Sequence, residues 1–200
     1  MLPDILSERL RLVAITPPLM HMDSSVLRSL LNADVPSAWP PEHWEPHVFD
    51  FMQRQYVQTP WAAGWNRYVL LRAKRPILIG TLGGFPRTES EAEIGYSMLG
   101  SWQCRGLATE GTRTLIQEIL RNQRFETLTA QTLPGLIPSI RVLEKCGFHL
   151  VGPGDDEGTI RYRVSRAELP ALIPQVEPCA PAQSESREHD SRRDFENRNE

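Results

Sequence analysis

The fold is decided by the stretch Gln103-Cys104-Arg105-Gly106-Leu107-Ala108-Thr109. It follows an alternating apolar run from Glu93 to Leu99, which is typical of a strand, and leads into a helical pattern that begins near Leu107. A strand that turns directly into a helix leaves the first backbone N–H groups of the helix without intrahelical partners. Those N–H groups and the helix dipole form an anion site that needs no charged side chain. Gly106 has no Cβ, so the backbone can bend there and a ligand can approach it closely.

The same pattern also fits an ordinary strand–turn–helix junction in which Gly106 serves only the turn. Two common phosphate loops are excluded by the residues that follow. No Gly-Lys-Ser/Thr is present, as a Walker loop requires, and Gly106 with Gly111 does not make the Gly-x-Gly-x-x-Gly fingerprint of dinucleotide-binding domains.

The stretch resembles the Gln/Arg-x-x-Gly-x-Gly/Ala loop of the GCN5-related N-acetyltransferases, the GNAT superfamily, whose loop amides hold the pyrophosphate of acetyl-CoA. Three further blocks, Glu93–Tyr96, Ala108–Glu110 and Ser139–Phe148, are similar to the Rim-type branch, which includes acetyltransferases of ribosomal-protein N-termini. The resemblance implies an α/β (α+β) GNAT fold, a mixed and strongly twisted sheet of about seven strands flanked by about four helices. It also implies that acetyl-CoA is the co-substrate.

Hydrophobic periodicity predicts the same order of elements along the chain. A strand is followed by two helices, three strands, a helix, a strand, a helix and two strands. The predicted strands are Arg9–Ile15, Tyr68–Leu71, Ile77–Leu82, Glu93–Leu99, Thr127–Thr132, Phe148–Val151 and Thr159–Val164. The predicted helices are Pro17–Leu31, His47–Gln58, Leu107–Leu120 and Pro138–Lys145, and Gly83-Gly84 is predicted to begin a turn.

Composition bounds the class of protein. The chain has 200 residues and 40% hydrophobic content, which fits one globular domain with some excess. We expect the domain to span residues 1–167 and the polar, proline-interrupted stretch 168–200 to be a disordered tail. The net charge of −3 favours neither nucleic acid nor anionic membrane, and no apolar run reaches the ~20 residues of a membrane span. Three cysteines without metal or disulfide spacing, and no signal peptide, predict a reducing cytoplasm.

Glu93 is the candidate general base, because a carboxylate near the acceptor amine can remove its proton directly or through one water. Its position matches the glutamate base of histone-acetylating relatives, although a surface residue paired across a hairpin is an equally open interpretation. The resemblance also implies that this strand splays from the next one. Its backbone would then bind the pantetheine arm at Ser97, Met98 and Leu99.

The helix from Pro138 departs from the family pattern at two positions. Leu136 stands where many relatives carry an asparagine that contacts the coenzyme, and Leu143 stands where many carry a tyrosine acid. Ser139 is kept and is the second catalytic candidate, as an acid or a water-holder, while a helix cap is its structural alternative. Arg141 and Lys145, four residues apart, are candidates for coenzyme phosphate or for a solvated helix face.

Four tryptophans, Trp39, Trp44, Trp61 and Trp65, predict either an aromatic wall on the acceptor side or loops pinned over the core. The histidines form no ligand set, so we predict no metal. The candidate coenzyme-binding residues are Ser97, Met98, Leu99, Gln103, Cys104, Arg105, Gly106, Leu107, Ala108, Thr109, Arg141 and Lys145. The sequence thus predicts a cytoplasmic, monomeric or homodimeric N-acetyltransferase that acts on a primary amine. The alternative is a weak or inactive acyl-CoA-binding protein of the same fold.

Overall fold

The computed structural model describes residues 2–20, 22–41 and 46–171. Within those residues the chain forms eight strands, five α-helices and three short 3-10 turns. The strands are β1 (Ile5–Leu6), β2 (Leu10–Ala14), β3 (Arg67–Leu71), β4 (Ile77–Pro86), β5 (Glu91–Met98), β6 (Thr127–Thr132), β7 (His149–Pro153) and β8 (Ile160–Ser165). The helices are α1 (Pro17–Met20), α2 (Ser24–Leu31), α3 (Pro46–Gln58), α4 (Leu107–Leu120) and α5 (Ile137–Lys145).

All eight strands belong to one sheet in the order β1-β2-β3-β4-β5-β6-β8-β7. Neighbouring strands are antiparallel except β5 and β6, which α4 connects as a parallel pair. This arrangement confirms the mixed α/β fold. The strand beyond the expected seven is β1, which pairs with β2 through Ile5 and Leu6.

The sheet divides in the middle. β5 and β6 pair only from Glu91↔Thr127 to Glu93↔Thr129. Beyond that point β5 stays paired with β4 as far as Met98, and β6 stays paired with β8 as far as Thr132. The two halves of the sheet therefore separate after Glu93, which confirms the expected splay. We call this opening the split.

The two faces of the sheet carry different helices. On one face α4 contributes Leu115, Ile116 and Ile119 to the larger buried cluster, which also includes Leu143 of α5. On the other face α1, α2 and α3 cover a second buried cluster that includes Tyr68. Each fully buried side chain of this kind stabilises the fold by about 1.5–3 kcal/mol. The α4/α5 face and the α1–α3 face thus hold the split from both sides.

Two predicted boundaries were wrong. The helix expected over Pro17–Leu31 is two helices, because Asp23 caps a new one: its Oδ1 accepts from the N–H groups of Ser25 (2.8 Å) and Val26 (3.0 Å). The turn expected at Gly83-Gly84 is instead part of β4, which pairs with β5 through both glycines. A Cβ on Gly83 would lie 2.0 Å from Asn66 Oδ1, so close packing, not a turn, requires glycine there.

The C-terminal boundary also differs from the expected one. A 3-10 turn at Arg166–Ala171 continues beyond residue 167, and Leu169 is buried in the larger core cluster. The Glu168 carboxylate accepts from the Ser165 N–H (2.7 Å) and the Ser165 hydroxyl (2.5 Å). These residues belong with the domain, whereas residues 172–200 lie outside the described part of the chain.

Candidate functional site

The N-terminus of α4 is left open by the protein. Gly106 is its N-cap, with φ +75, and makes no side-chain capping hydrogen bond. A side chain at this position would be strained by the left-handed backbone, although its Cβ would meet only Arg9 Nη2, at 3.5 Å. Cys104, two residues earlier, is exposed and also has a positive φ, +57. The amides that begin α4 therefore face outward in the way an anion site requires.

A clamp of three side chains braces this loop. The Glu110 carboxylate accepts from Arg9 Nε (2.6 Å), from the Arg9 N–H (2.7 Å) and from the Ser7 hydroxyl (2.7 Å). Arg9 Nη1 also donates to the Arg105 carbonyl at 3.1 Å. Burial opposes ionisation of Glu110, but the hydrogen bonds from Ser7 and Arg9 prevail and lower its pKa. Arg9 thus neutralises a carboxylate that would otherwise repel an anion at the start of α4.

An open groove of about 420 Å³ runs beside this helix end. It brings Lys145, one of the predicted phosphate ligands, together with Gly106 and Thr109 of the loop. Arg113 supports the arrangement, because its Nη2 donates to the Lys145 carbonyl at 2.6 Å and so ties α4 to α5. Arg141 is exposed and is not among the residues that line the groove, which are Glu8, Arg9, Gly106, Thr109, Glu110, Arg113, Thr114, Gln117 and Lys145.

The first residues of the loop connect it to the split. Gln103 Nε2 donates to the Met98 carbonyl at 2.9 Å, and the Arg105 guanidinium lies 5.0 Å from the centre of the Trp102 ring. The prediction that the Leu99 backbone binds the pantetheine arm was wrong, because the Leu99 N–H already donates to the Ile79 carbonyl at 2.9 Å. Antiparallel strands alternate the direction of their backbone groups. Ser97 therefore faces β4, as Leu99 does, and Met98 faces the split.

Glu93 lies at the closed end of the split, on the α1–α3 face. Its two carboxylate oxygens each accept from Gln131 Nε2 at 3.2 Å, and Arg87 Nε lies 3.6 Å away. Burial raises the pKa of Glu93, and the hydrogen bond from Gln131 and the charges of Arg87 and Arg161 offset only part of that rise. A buried carboxylate with a raised pKa is a stronger base than an ordinary glutamate.

The neighbours of Glu93 are themselves fixed. The Asp155 carboxylate contacts the guanidinium groups of both Arg87 and Arg161, so the β7–β8 loop is joined to β4 and β8. Phe85 pairs with Glu93 in the β4–β5 ladder and packs edge-on against Phe51 of α3, with ring centres 5.0 Å apart. Glu93 is therefore neither an isolated surface residue nor free to swing.

Ser139 lies in the first turn of α5 and is not its cap, which is Leu136. It contacts Tyr96, whose hydroxyl donates to the Ser139 carbonyl at 2.8 Å and lies 3.2 Å from Ser139 Oγ. Burial raises the pKa of Tyr96, which keeps the phenol protonated. We did not single out Tyr96 from the sequence; the signal was its place on the face of the strand opposite Glu93.

Glu93 and Ser139 are not brought together. Glu93 approaches the split from the α1–α3 face, and Ser139, with Tyr96, approaches it from the α4/α5 face. Leu143, at the position of the family's tyrosine, is 1% exposed and belongs to the core. Leu136 is half exposed at the start of α5 and provides no capping side chain.

The tryptophans mainly hold loops on the core. Trp39 and Trp65 are buried, and Trp61 is half exposed, with its ring stacked on Phe125 at 5.8 Å between centres. Trp44 lies outside the described residues. Within the residues that the structure describes, no group of His, Cys, Asp and Glu could hold a metal ion, and no helix is long and apolar enough to cross a membrane.

Comparison with known proteins gives one family and one fold. The family model described as an acetyltransferase (GNAT) domain matches residues 9–149. No curated protein sequence matches the chain. An acetyltransferase structure from Agrobacterium tumefaciens has a TM-score of 0.60 at 20% identity and covers 82% of this chain and 95% of its own.

Two further solved structures are of Rim-type proteins. RimL, a ribosomal L7/L12 alpha-N-protein acetyltransferase in complex with coenzyme A, has a TM-score of 0.56 at 17% identity, covering 82% of this chain and 98% of its own. RimJ from Mycobacterium smegmatis, in complex with CoA-disulfide, has a TM-score of 0.54 at 17% identity, covering 80% and 84%. At these identities the likeness concerns the fold.

Proposed function

Because this chain belongs to the GNAT acetyltransferase family, we propose that it is an acetyl-CoA-dependent N-acetyltransferase that moves the acetyl group directly to a primary amine. The amine belongs to a small molecule or to a protein N-terminus. The proposal keeps the partners predicted from the sequence: acetyl-CoA and an amine acceptor, without nucleic acid or membrane, in a cytoplasmic monomer or homodimer.

One observation carries the proposal: an open helix N-terminus adjoins a split in the sheet. The loop from Gln103 to Gly106 supplies the anion end, and the gap between β5 and β6 supplies a narrow slot that begins beyond Glu93. The hydrogen bond from Gln103 to the Met98 carbonyl joins the two. Acetyl-CoA fits such a site, because it is a long, thin arm with a pyrophosphate at one end and a thioester at the other.

The residues divide the work of binding. The amides of Cys104 through Thr109 hold the pyrophosphate, since the Gln103 N–H donates to the Gly100 carbonyl, and Lys145 adds a positive charge at the edge of the groove. The backbone of Met98 faces the split and lies beside the arm. When bound, acetyl-CoA supplies an acetyl group activated as a thioester.

The residues also divide the chemistry between the two faces. Glu93 removes the proton of the incoming amine from the α1–α3 face, directly or through one water. Ser139, held by Tyr96, lies on the α4/α5 face and serves the leaving side. An acid and a base that approach one slot from opposite faces suit direct transfer from one bound partner to the other.

The second candidate function is a weak or inactive acyl-CoA-binding protein of the same fold. The buried Leu143 favours it, because no hydroxyl stands where many relatives carry the acid. Under this function acetyl-CoA binds but no amine is acetylated.

The experiment is a thiol-release assay with acetyl-CoA and a panel of amines that includes peptide N-termini, polyamines, amino acids and aminoglycosides. We expect release that depends on the amine, and a loss of about 10²–10⁴-fold in Glu93→Gln with coenzyme affinity retained. Glu91→Gln, two residues earlier on the same face, is the matched control and should keep activity. Activity should be lost as the pH falls, because protonated Glu93 cannot act as a base. This loss should begin at a higher pH than an ordinary glutamate base would show, because burial raises the pKa of Glu93.

The outcomes separate the candidates. If calorimetry shows that acetyl-CoA binds, but no amine in the panel causes release of the coenzyme A thiol, the acyl-CoA-binding protein is favoured. Full activity of Glu93→Gln would place the base elsewhere while leaving the transferase intact.

A further inference from the structure

Thr132, the last residue of β6, has a hydroxyl without a partner. The residue is 7% exposed, and Thr132 Oγ1 is buried without a hydrogen bond to any described residue. A buried hydroxyl that has lost water and gained nothing destabilises a protein, so such groups usually have a partner. Thr112 Oγ1 on α4 is also unpartnered, but only Thr132 belongs to a strand that borders the split.

The register locates Thr132 at the split. Glu93 and Thr129 are the last paired residues of β5 and β6, so counting three residues onward on each strand puts Tyr96 level with Thr132. Three residues also reverse the face of a strand, so both side chains lie on the α4/α5 face, opposite Glu93. The Tyr96 hydroxyl reaches Ser139 on α5. Tyr96 and Thr132 thus border the same opening on the same face, and Ser139 adjoins it through Tyr96.

The hydroxyl groups of Tyr96, Ser139 and Thr132 differ in their hydrogen bonds. The Tyr96 hydroxyl donates its single hydrogen bond to the Ser139 carbonyl at 2.8 Å. The Ser139 hydroxyl has Tyr96 Oη within reach at 3.2 Å. Thr132 Oγ1–H is the donor that nothing in the described chain accepts.

We propose that the Thr132 hydroxyl is a further catalytic residue, which donates a hydrogen bond to the sulfur of the coenzyme in the split. This inference rests on the proposed function. Glu93, at the closed end of the split, reaches the acceptor amine through one water, and the acetyl carbon lies between the amine nitrogen and the sulfur. The sulfur therefore lies further along the split than Glu93, on the side of Thr132, which is three strand residues, about 10 Å, beyond the last paired residue. The hydroxyl then stabilises the negative sulfur where Leu143 offers no acid.

Glu93 takes one proton from the neutral amine as its nitrogen forms a bond to the acetyl carbon, so the product is a neutral amide. The carbon–sulfur bond breaks, and its electron pair stays on the sulfur as a thiolate. Thr132 Oγ1–H donates to that thiolate without giving up its proton, and a water held by Ser139 then protonates the sulfur.

The test compares Thr132→Val, which has nearly the same shape without the hydroxyl, with Thr132→Ser, which keeps it. In the free protein, Thr132→Val should raise Tm by about 2–4 °C, because an unsatisfied hydroxyl is removed. The same variant should lower kcat about tenfold, and Thr132→Ser should restore it. A structural role predicts the opposite sign for Tm, so a fall in Tm would overturn the proposal.

Binding measurements locate the contact. Thr132→Val should bind coenzyme A about tenfold more weakly above the thiol pKa of ~8.5, and should bind desulfo-coenzyme A as the wild type does. Equal losses for both ligands would overturn a sulfur contact, as would unchanged kcat in Thr132→Val. If the wild-type protein acetylates an amine and releases the coenzyme A thiol, while Thr132→Val keeps the same kcat and coenzyme affinity, only this inference is contradicted. Wild-type protein that binds no acetyl-CoA ends it together with the proposed function.

Discussion

The two ends of α4 are finished in opposite ways. At the C-terminus the Arg166 guanidinium donates to three carbonyls, those of Leu120 (3.1 Å), Asn122 (2.9 Å) and Phe125 (2.8 Å). At the N-terminus Gly106 provides no capping side chain. The protein thus satisfies the negative end of the helix with its own cation and leaves the positive end for a ligand.

α2 shows that the open end is not a general habit of this chain. Its N-terminus is capped by Asp23, which accepts from two backbone N–H groups. A capping side chain on α4 would compete with an anion for the same N–H groups. The difference between α2 and α4 therefore marks one helix as structural and the other as the holder of a ligand.

The largest effect should come from filling the open end. Gly106→Glu puts a carboxylate beside the amides, and we expect acetyl-CoA affinity to fall by at least about 10²-fold, or ~2.7 kcal/mol. Calorimetry measures this loss. Gly158→Glu is the matched control, because Gly158 has a similar φ of +80 and open space around it, away from α4. Equal acetyl-CoA affinity in the two variants would contradict an anion site at the N-terminus of α4.

A change at the C-terminus of α4, which Arg166 caps, should lower the stability of the protein without changing acetyl-CoA affinity. Arg166→Ala removes three charge-assisted hydrogen bonds, and we expect the free energy of unfolding to fall by about 2 kcal/mol in denaturant titration. Arg163→Ala, which loses one hydrogen bond of 3.4 Å to Thr127, should cost much less. Acetyl-CoA affinity of the folded Arg166→Ala protein should stay the same. A large change in affinity would mean that the two ends are coupled.

The clamp should show a smaller effect, at the open end. Arg9→Ala leaves the Glu110 carboxylate uncompensated beside the anion site, and we expect acetyl-CoA affinity to fall about fivefold, or ~1 kcal/mol. Glu110→Gln in the same protein should recover part of the loss. No recovery would show that Arg9 acts only by holding the loop.

The clamp also predicts a pH dependence. Hydrogen bonds from Ser7 and Arg9 lower the pKa of Glu110 despite its burial, so its contribution to stability is fully present above the unfolded value of about 4.3. It is lost as the pH falls through the lower folded pKa. Glu110→Gln should flatten this part of the curve of stability against pH.

The smallest effect changes no free energy of the free protein. Cys104 is exposed in the loop, and bound acetyl-CoA should slow its alkylation by iodoacetamide. The buried Cys146 is the internal control and should stay unlabelled in both states. Mass spectrometry that finds equal labelling of Cys104 with and without acetyl-CoA would contradict a ligand at this end.

Periodicity and family blocks were enough for the mixed sheet, the order of its seven longer strands and the open start of α4. They failed where close packing decides. Gly83 and Gly84 have the composition of a turn, yet they continue β4 because a neighbouring side chain and strand leave no room for a Cβ. Leu169 lies beyond residue 167, where the polar composition predicted the end of the domain, yet its side chain is buried in the larger core cluster.

The site was predicted in part for the same reason. Glu93, Ser139 and the residues of the loop were selected from the sequence, and their catalytic and binding roles remain predictions. The contact between Tyr96 and Ser139 joins residues that only the folded sheet brings together, across the split. The unpartnered hydroxyl of Thr132 depends on burial, which strand periodicity alone does not fix.

The clamp has a consequence for folding. Its hydrogen bonds join Ser7 and Arg9 to Glu110, 103 and 101 residues later, so the loop is braced only after β2, β3, β4 and β5 have assembled. Contacts of such long range form late, because the entropy of closing the chain between them must first be offset. A nascent chain released before Glu110 has no clamp. A ligand at the start of α4 would therefore recognise only the completed sheet, and would stabilise it as a whole by mass action.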